Sequence, residues 1–141
     1  MRKSLFLVAL ALISTGCLAQ KSNVKKAKNL ALQETPDFVG ARQMIAPALE
    51  NEETKNLVET WYVAGLIGYQ EFANAYYLAS LGQAIDVDKV GAAVAESYDF
   101  WLKADSMGQV LVPNKKGVMV PADPKYRKQI NPRMLEYFRT H

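Results

Sequence analysis

Apolar residues recur three and four positions apart along most of the chain, which is the spacing of amphipathic helices. Val24, Ala27, Leu30 and Ala31 predict a first helix capped by Ser22 and ending near Glu34. Thr35-Pro36-Asp37 reads as a fresh start, with Thr35 as cap, Pro36 at the first helical position and Asp37 beside the positive helix end. Phe38, Ala41, Ile45, Ala48 and Leu49 form the buried stripe of this second helix, which Pro47 is expected to kink or shorten. Asn51-Glu52-Glu53 is the third start signal. From there Leu57, Trp61, Ala64/Gly65, Gly68, Phe72, Ala75/Tyr76 and Ala79 keep one face for about six turns. Val63, Leu66 and Ile67 make the opposite side apolar as well, so this helix is expected to lie between neighbours. Gly65 and Gly68 each cost about 1 kcal/mol of helix propensity relative to Ala, which predicts close approach of another helix at those two positions.

Gly82 can end the long helix. Asp86 can cap the next, whose stripe is Val90, Ala93/Val94, Ser97, Trp101 and Ala104 and which is expected to end before Gly108. Residues 108–123 hold Gly108, Pro113, Gly117 and Pro121 and read as an irregular loop, in which Val110–Val112 and Val118–Val120 could pair as a small hairpin. Asp123-Pro124 starts a last helix reaching about residue 139 and interrupted at Asn131-Pro132. Five helices with short connections predict an all-α antiparallel stack.

Internal similarity refines this expectation. Ala41-x3-Ile45-x2-Ala48-Leu49 and Ser97-x3-Trp101-x2-Ala104 share a pattern of a small residue, a bulky one four later and Ala three later; Trp61-x2-Ala64-Gly65 precedes the second. Together these resemble the tetratricopeptide (TPR) repeat, with its W-x2-L-G-x2-Y first helix and A-x3-F-x2-A second helix. The match is partial. Lys25 and Asn29 stand where the first repeat would carry Trp and Gly, Ala64 replaces the Leu, and Gly68 replaces the Tyr beside Tyr69. Trp61 and Ala104 are 43 positions apart, against 23 in the family, which places an insertion of about 20 residues at Tyr69–Lys89. The run from Ala31 to Phe38 and that from Trp61 to Tyr69 are similar to the start of exported TPR-repeat proteins of Gram-negative bacteria. The resemblance implies a helix-pair solenoid, with pairs at about 22–50 and 52–107 and a partial third after the loop. Ala41, Ile45, Ala48, Trp61, Ala64, Gly65, Ser97, Trp101 and Ala104 would be its packing residues. It also implies a concave groove lined by Lys26, Leu30 and Gln33 from the first pair and Glu59, Tyr62, Leu66 and Tyr69 from the second, suited to a peptide or partner helix. Such relatives are usually longer, and a solenoid needs about three repeats. An alternative reading is therefore an N-terminal fragment of a longer TPR protein with a structural role, self-associating through its open C-terminal end.

The N-terminus changes the expected location. Arg2 and Lys3 precede an apolar run, Leu5–Ile13, and Ser14-Thr15-Gly16-Cys17-Leu18-Ala19 follows. This layout predicts a secretory signal at residues 1–19, cleaved after Ala19, and hence a periplasmic or secreted domain at 20–141. The run is too short to span a bilayer. The alternative is a lipid-anchored envelope protein, since Ser14-Thr15-Gly16-Cys17 resembles a lipoprotein box with Cys17 as the lipidated residue.

Charge and chemistry narrow the function classes. The 141 residues carry 17 Lys+Arg against 14 Asp+Glu and one Cys, which argues against a nucleic-acid binder, a disulfide framework and a CxxC zinc site. The charge is split: residues 20–33 carry +4, residues 34–105 carry −8 and residues 106–141 carry +5. The sole histidine is His141, so no Ser-His-Asp, Cys-His or histidine-based metal site can be assembled from this sequence. Asp86-x-Asp88 begins like a calcium loop, but Val90 and Ser97 occupy its fifth and twelfth positions. Glu52/Glu53 and Asp86/Asp88 are explained as helix starts, and the aromatic residues at helical spacing as core. The sequence thus points to a non-enzymatic scaffold for a protein or peptide, with no cofactor and no metal.

Overall fold

The computed structural model describes residues 18–122 and 124–130. The segments around Cys17, Asp123, Asn131-Pro132 and His141, and with them the lipidation site and most of the expected last helix, lie outside the described residues. Helix α1 covers residues 18–32, α2 Phe38–Glu50, α3 Val58–Ser80 and α4 Val87–Gly108; strands β1 (Leu111–Pro113) and β2 (Met119–Pro121) follow, and then α5 (Pro124–Gln129). Among the described residues the chain is all-α apart from this one small hairpin.

The helix starts differ from the expected ones for local reasons. Leu18-Ala19-Gln20-Lys21 are good helix formers, so α1 already runs through them and Ser22 is an exposed interior residue, not a cap. Pro36 steers Thr35 away from helical geometry. The cap of α2 is therefore Asp37, which accepts the Gly40 N–H at 2.8 Å. Pro47 neither ends nor shortens α2. It lies on the exposed side, where water can replace the missing hydrogen bond, and its own carbonyl still accepts the Asn51 N–H at 3.1 Å. Asn51 caps only a single turn, accepting from the backbone N–H groups of Glu53 (3.1 Å) and Thr54 (3.2 Å). The buried Thr54 hydroxyl locks that turn to the end of α2 by donating to the Ala48 carbonyl at 2.7 Å. The long helix α3 begins after it, with Leu57 at its cap position and no side-chain cap.

Asp86 does cap α4, accepting the Lys89 N–H at 3.0 Å, and Gly82 takes a left-handed φ of 80° just beyond α3. Gly108 belongs to α4, and Gln109 is the cap residue. The loop after it contains the expected hairpin, one residue later than the valine runs suggested, with Leu111 opposite Pro121, Val112 opposite Val120 and Pro113 opposite Met119.

The core is built around α3. Its residues 62–68 are all buried, as expected for a helix with neighbours on both sides; α4 packs against it most extensively, then α2. Val24, Ala27 and Ala31 of α1 join Ala41, Ile45 and Ala48 of α2 in the same cluster. Helices α3 and α4 run antiparallel: Tyr62 meets Trp101, Gly68 meets Ala93 and Ser97, and Glu71 meets Lys89. A Cβ at Gly65 would collide with the Trp101 indole, lying 2.5 Å from Nε1 and 2.8 Å from Cγ. At Gly68 it would collide with the Ala93 carbonyl oxygen and lie 3.3 Å from Ser97 Cβ. The two glycines thus mark the closest approach of α3 and α4, and Trp101 uses it to donate its indole N–H to the Tyr62 carbonyl at 3.0 Å.

The expected stripe of α3 fails at its C-terminal end. Phe72 and Ala75 are half-buried and Tyr76 is 71% exposed. At 1.5 Å per residue, the 13-residue α2 is far too short to cover a 23-residue helix, so the last turns of α3 project past it, with Phe38 at the start of α2 reaching only as far as a cavity shared with Ala75 and Leu78.

Candidate functional site

Trp101 is the centre of an aromatic cluster. Its ring stacks on Tyr62 (centroids 6.2 Å apart, planes 8° apart) and leans on Tyr69 at 5.2 Å; Tyr126 of α5 lies 5.1 Å from Tyr62. These geometries are favourable for π-systems and fix the rings beyond what burial alone would do. Between this cluster and the end of α5 lies a cleft of about 430 Å³, lined by Tyr62, Leu66, Tyr69, Gln70, Trp101, Lys128, Gln129 and Ile130. Its floor is aromatic and aliphatic. Its rim carries two amides and an ammonium group, a composition that accepts an apolar side chain while offering polar groups to a backbone.

The groove residues expected from the TPR resemblance do not converge on one surface. Tyr62, Leu66 and Tyr69 line this cleft, but Tyr62 and Leu66 are buried, and Tyr126 and Ile130 of the C-terminal part belong to the same core cluster. A concave face left open by α3 is therefore partly occupied by the chain itself. Glu59 lines a separate cavity of about 320 Å³ with Lys21, Val24, Lys25, Leu57 and Thr60. Leu30 packs against the core, Lys26 is exposed, and Gln33 is exposed with its amide donating to the Thr35 carbonyl at 2.7 Å. The packing set stays together better. Ala41, Ile45, Ala48, Ala64, Gly65, Ser97, Trp101 and Ala104 are all buried. Trp61 is half-buried at the edge, donating its indole N–H to the Lys55 carbonyl at 2.7 Å and carrying Lys103 Nζ 5.8 Å from its ring centre.

Burial raises the Tyr62 pKa above the ordinary tyrosine value, with Tyr126 adding to the effect, so the phenol in the cleft floor stays protonated. Cationic character at the cleft comes from exposed Lys128.

A second polar feature was not legible from spacing. Arg42 of α2 donates from Nη2 to Glu71 Oε2 at 2.6 Å and from Nε to both Glu96 oxygens at 3.1 and 3.2 Å; Lys89 Nζ lies 3.4 Å from Glu71 Oε1. Burial alone would lower the Arg42 pKa. The hydrogen bond with Glu71 and the charges of Glu96 and Glu71 outweigh it and hold the guanidinium above its usual value. The cluster clamps α2, α3 and α4 together at the point where α3 leaves the core. Its charges are mutually satisfied, so it offers no free acid, base or nucleophile. Among the described residues, no group of three or more His, Cys, Asp or Glu side chains is placed to hold a metal ion.

Sequence reasoning took Trp101 for a packing residue alone and gave no role to Gln70, Lys128, Gln129 or Ile130. The available signal was Tyr126 and Ile130, four apart in the last helix, which announces an apolar stripe in need of a partner. Comparison with protein-family models, curated proteins and solved structures finds no match for this chain.

Proposed function

We propose that this protein is a non-enzymatic, TPR-like helical scaffold that takes an apolar or aromatic side chain of a peptide or partner helix into the cleft between α3, α4 and α5. The observation that carries the reading is the cleft floor, where Tyr69 is half-buried beside the Trp101 ring and Gln70, Gln129 and Lys128 stand around it. Large rigid aromatics with adjacent polar groups are the residue types that dominate protein-recognition sites. The TPR-like reading rests on the small-residue contacts at Gly65, Gly68 and Ser97 and on two successive helix pairs. Export to the periplasm or beyond rests on Arg2-Lys3, Leu5–Ile13 and the small residues before Ala19, with lipid anchoring at Cys17 as the alternative.

The test is peptide-display selection on the full chain, followed by fluorescence anisotropy of the selected peptides against two variants. Tyr62 is too deeply packed to serve as a probe, so the variants are Tyr69→Ala and Lys128→Glu. Tyr69→Ala is expected to weaken binding at least tenfold while leaving far-UV circular dichroism unchanged. Lys128→Glu is expected to alter the selectivity for acidic residues beside the anchor. Equal affinity for the wild type and both variants refutes the cleft as the binding site.

A further inference from the structure

The hairpin β1–β2 is apolar without being buried. Val110, Leu111, Val112, Val118 and Met119 are each at least 40% exposed, although they fall within ten residues of one another. Successive residues of a strand point to opposite faces, so the exposure of Val110, Leu111 and Val112 together makes both faces of the hairpin apolar. The core formed by the described residues does not include them, and solubility argues against keeping them exposed without a partner.

The turn joining the strands is rigid and cationic. Asn114 Oδ1 accepts the backbone N–H groups of Lys116 (2.8 Å) and Val118 (3.0 Å), the Asn114 N–H donates to the Val118 carbonyl at 2.9 Å, and Gly117 supplies a φ of 75° that a side chain would resist. Lys115 and Lys116 project from this frame, exposed and without an ion pair among the described residues. A small rigid hairpin with apolar flanks and two unpaired lysines at its tip is complementary to an interface that is apolar below and anionic above.

Strand addition by a second copy fits less well. Pro113 and Pro121 end the two strands and each removes a backbone donor, a device that blunts edges against further pairing. Two lysine tips would also repel. A fluid surface, by contrast, needs no matched groove and can receive residues from both faces. From these observations we infer that the hairpin docks onto an anionic lipid surface, lying at the headgroup boundary with Leu111 and Met119 inserted and Lys115 and Lys116 among the lipid phosphates. No helix among the described residues is long and apolar enough to cross a membrane.

The experiment is co-sedimentation of the full chain with vesicles of phosphatidylcholine alone and of phosphatidylcholine mixed equally with phosphatidylglycerol. Leu5–Ile13 is common to every variant, so differences between variants report the hairpin. Lys115→Glu/Lys116→Glu is expected to lower the partition onto the anionic vesicles by at least tenfold, because each lysine near such a surface contributes roughly fivefold. Leu111→Ser/Met119→Ser is expected to lower it on both vesicle types, and raised salt should abolish the anionic preference. All these positions are exposed, and unchanged circular dichroism will show that the variants fold. Binding unaffected by either double variant overturns the inference. So does a hairpin-dependent dimer in sedimentation without lipid, which would assign the surface to a second copy. Loss of lipid binding with retained peptide binding in the cleft separates this site from the one proposed above.

Discussion

Replacing Gly68 by alanine tests whether close approach, and not flexibility, explains the glycines of α3. Helix propensity alone favours the change by about 1 kcal/mol, since Gly is the poorer helix former. Packing opposes it. The new Cβ would overlap the Ala93 carbonyl oxygen, a backbone atom that cannot rotate away, and would press on Ser97 Cβ at 3.3 Å. Relieving that overlap requires α4 to retreat by roughly 1 Å, and overpacking of this kind costs about 1–3 kcal/mol. The same retreat stretches the 3.0 Å bond from the Trp101 indole to the Tyr62 carbonyl, worth about 1 kcal/mol when both groups are buried. The net expectation is a loss of about 2 kcal/mol, or a fall in melting temperature of roughly 8 °C for a domain of this size. Gly91 is the control. It lies in α4 with nothing within 4 Å of a built Cβ, so Gly91→Ala should gain the propensity term and raise the melting temperature by about 4 °C. Thermal and urea unfolding followed by circular dichroism measure both. Two stabilising substitutions, or two equal ones, would refute the close-approach argument.

The remaining predictions use the same assay. Thr54→Val removes the 2.7 Å bond to the Ala48 carbonyl and should cost about 1–2 kcal/mol, whereas Thr60→Val removes a buried hydroxyl that has no partner and should be neutral or stabilising. Arg42→Ala leaves buried Glu71 with only the exposed Lys89 ammonium at 3.4 Å and should cost about 2 kcal/mol, while Lys89→Ala, at an exposed rim, should cost under about 0.5 kcal/mol. Because burial raises the Tyr62 pKa, its contribution is complete below the unfolded tyrosine value near 10 and is lost as pH rises through the folded value. Unfolding free energy should therefore decline above about pH 10, and Tyr62→Phe should remove part of that decline.

The sequence made the helical pattern of α2, α3 and α4 legible because their buried faces are continuous and their neighbours are other helices. Gly65, Gly68 and the Asp86 cap could be placed because each is a local constraint with one physical cause. The starts of α1, α2 and α3 were misplaced for the converse reason. Ser22, Thr35 and Asn51 are all competent caps, and which residue caps depends on whether a helix former precedes it, a proline follows it or a second turn intervenes. The exposed end of α3 was illegible because its apolar pattern continues past Glu71 while the partner helix does not. Arg42, Glu71, Lys89 and Glu96 belong to three different helices, so no spacing in the chain announces their meeting.

The same limit explains why the expected groove was only partly found. Facing residues of one helix can be assigned from periodicity, but what covers them depends on where the chain returns. Here Tyr126 and Ile130 return onto the face of Tyr62 and Leu66, turning an expected open groove into a cleft at the end of α5. That return changes the energetics of recognition. A ligand in an open groove would have to desolvate and order Tyr62 on binding, whereas here Tyr62 is already held between Trp101 and Tyr126. The ordering cost is met in folding, and affinity then depends on Tyr69, Gln70 and the α5 residues at the mouth. Substitutions that loosen α5 without altering the cleft lining, such as Tyr126→Ala, should accordingly weaken binding through lost preorganisation even where the peptide contacts no altered atom.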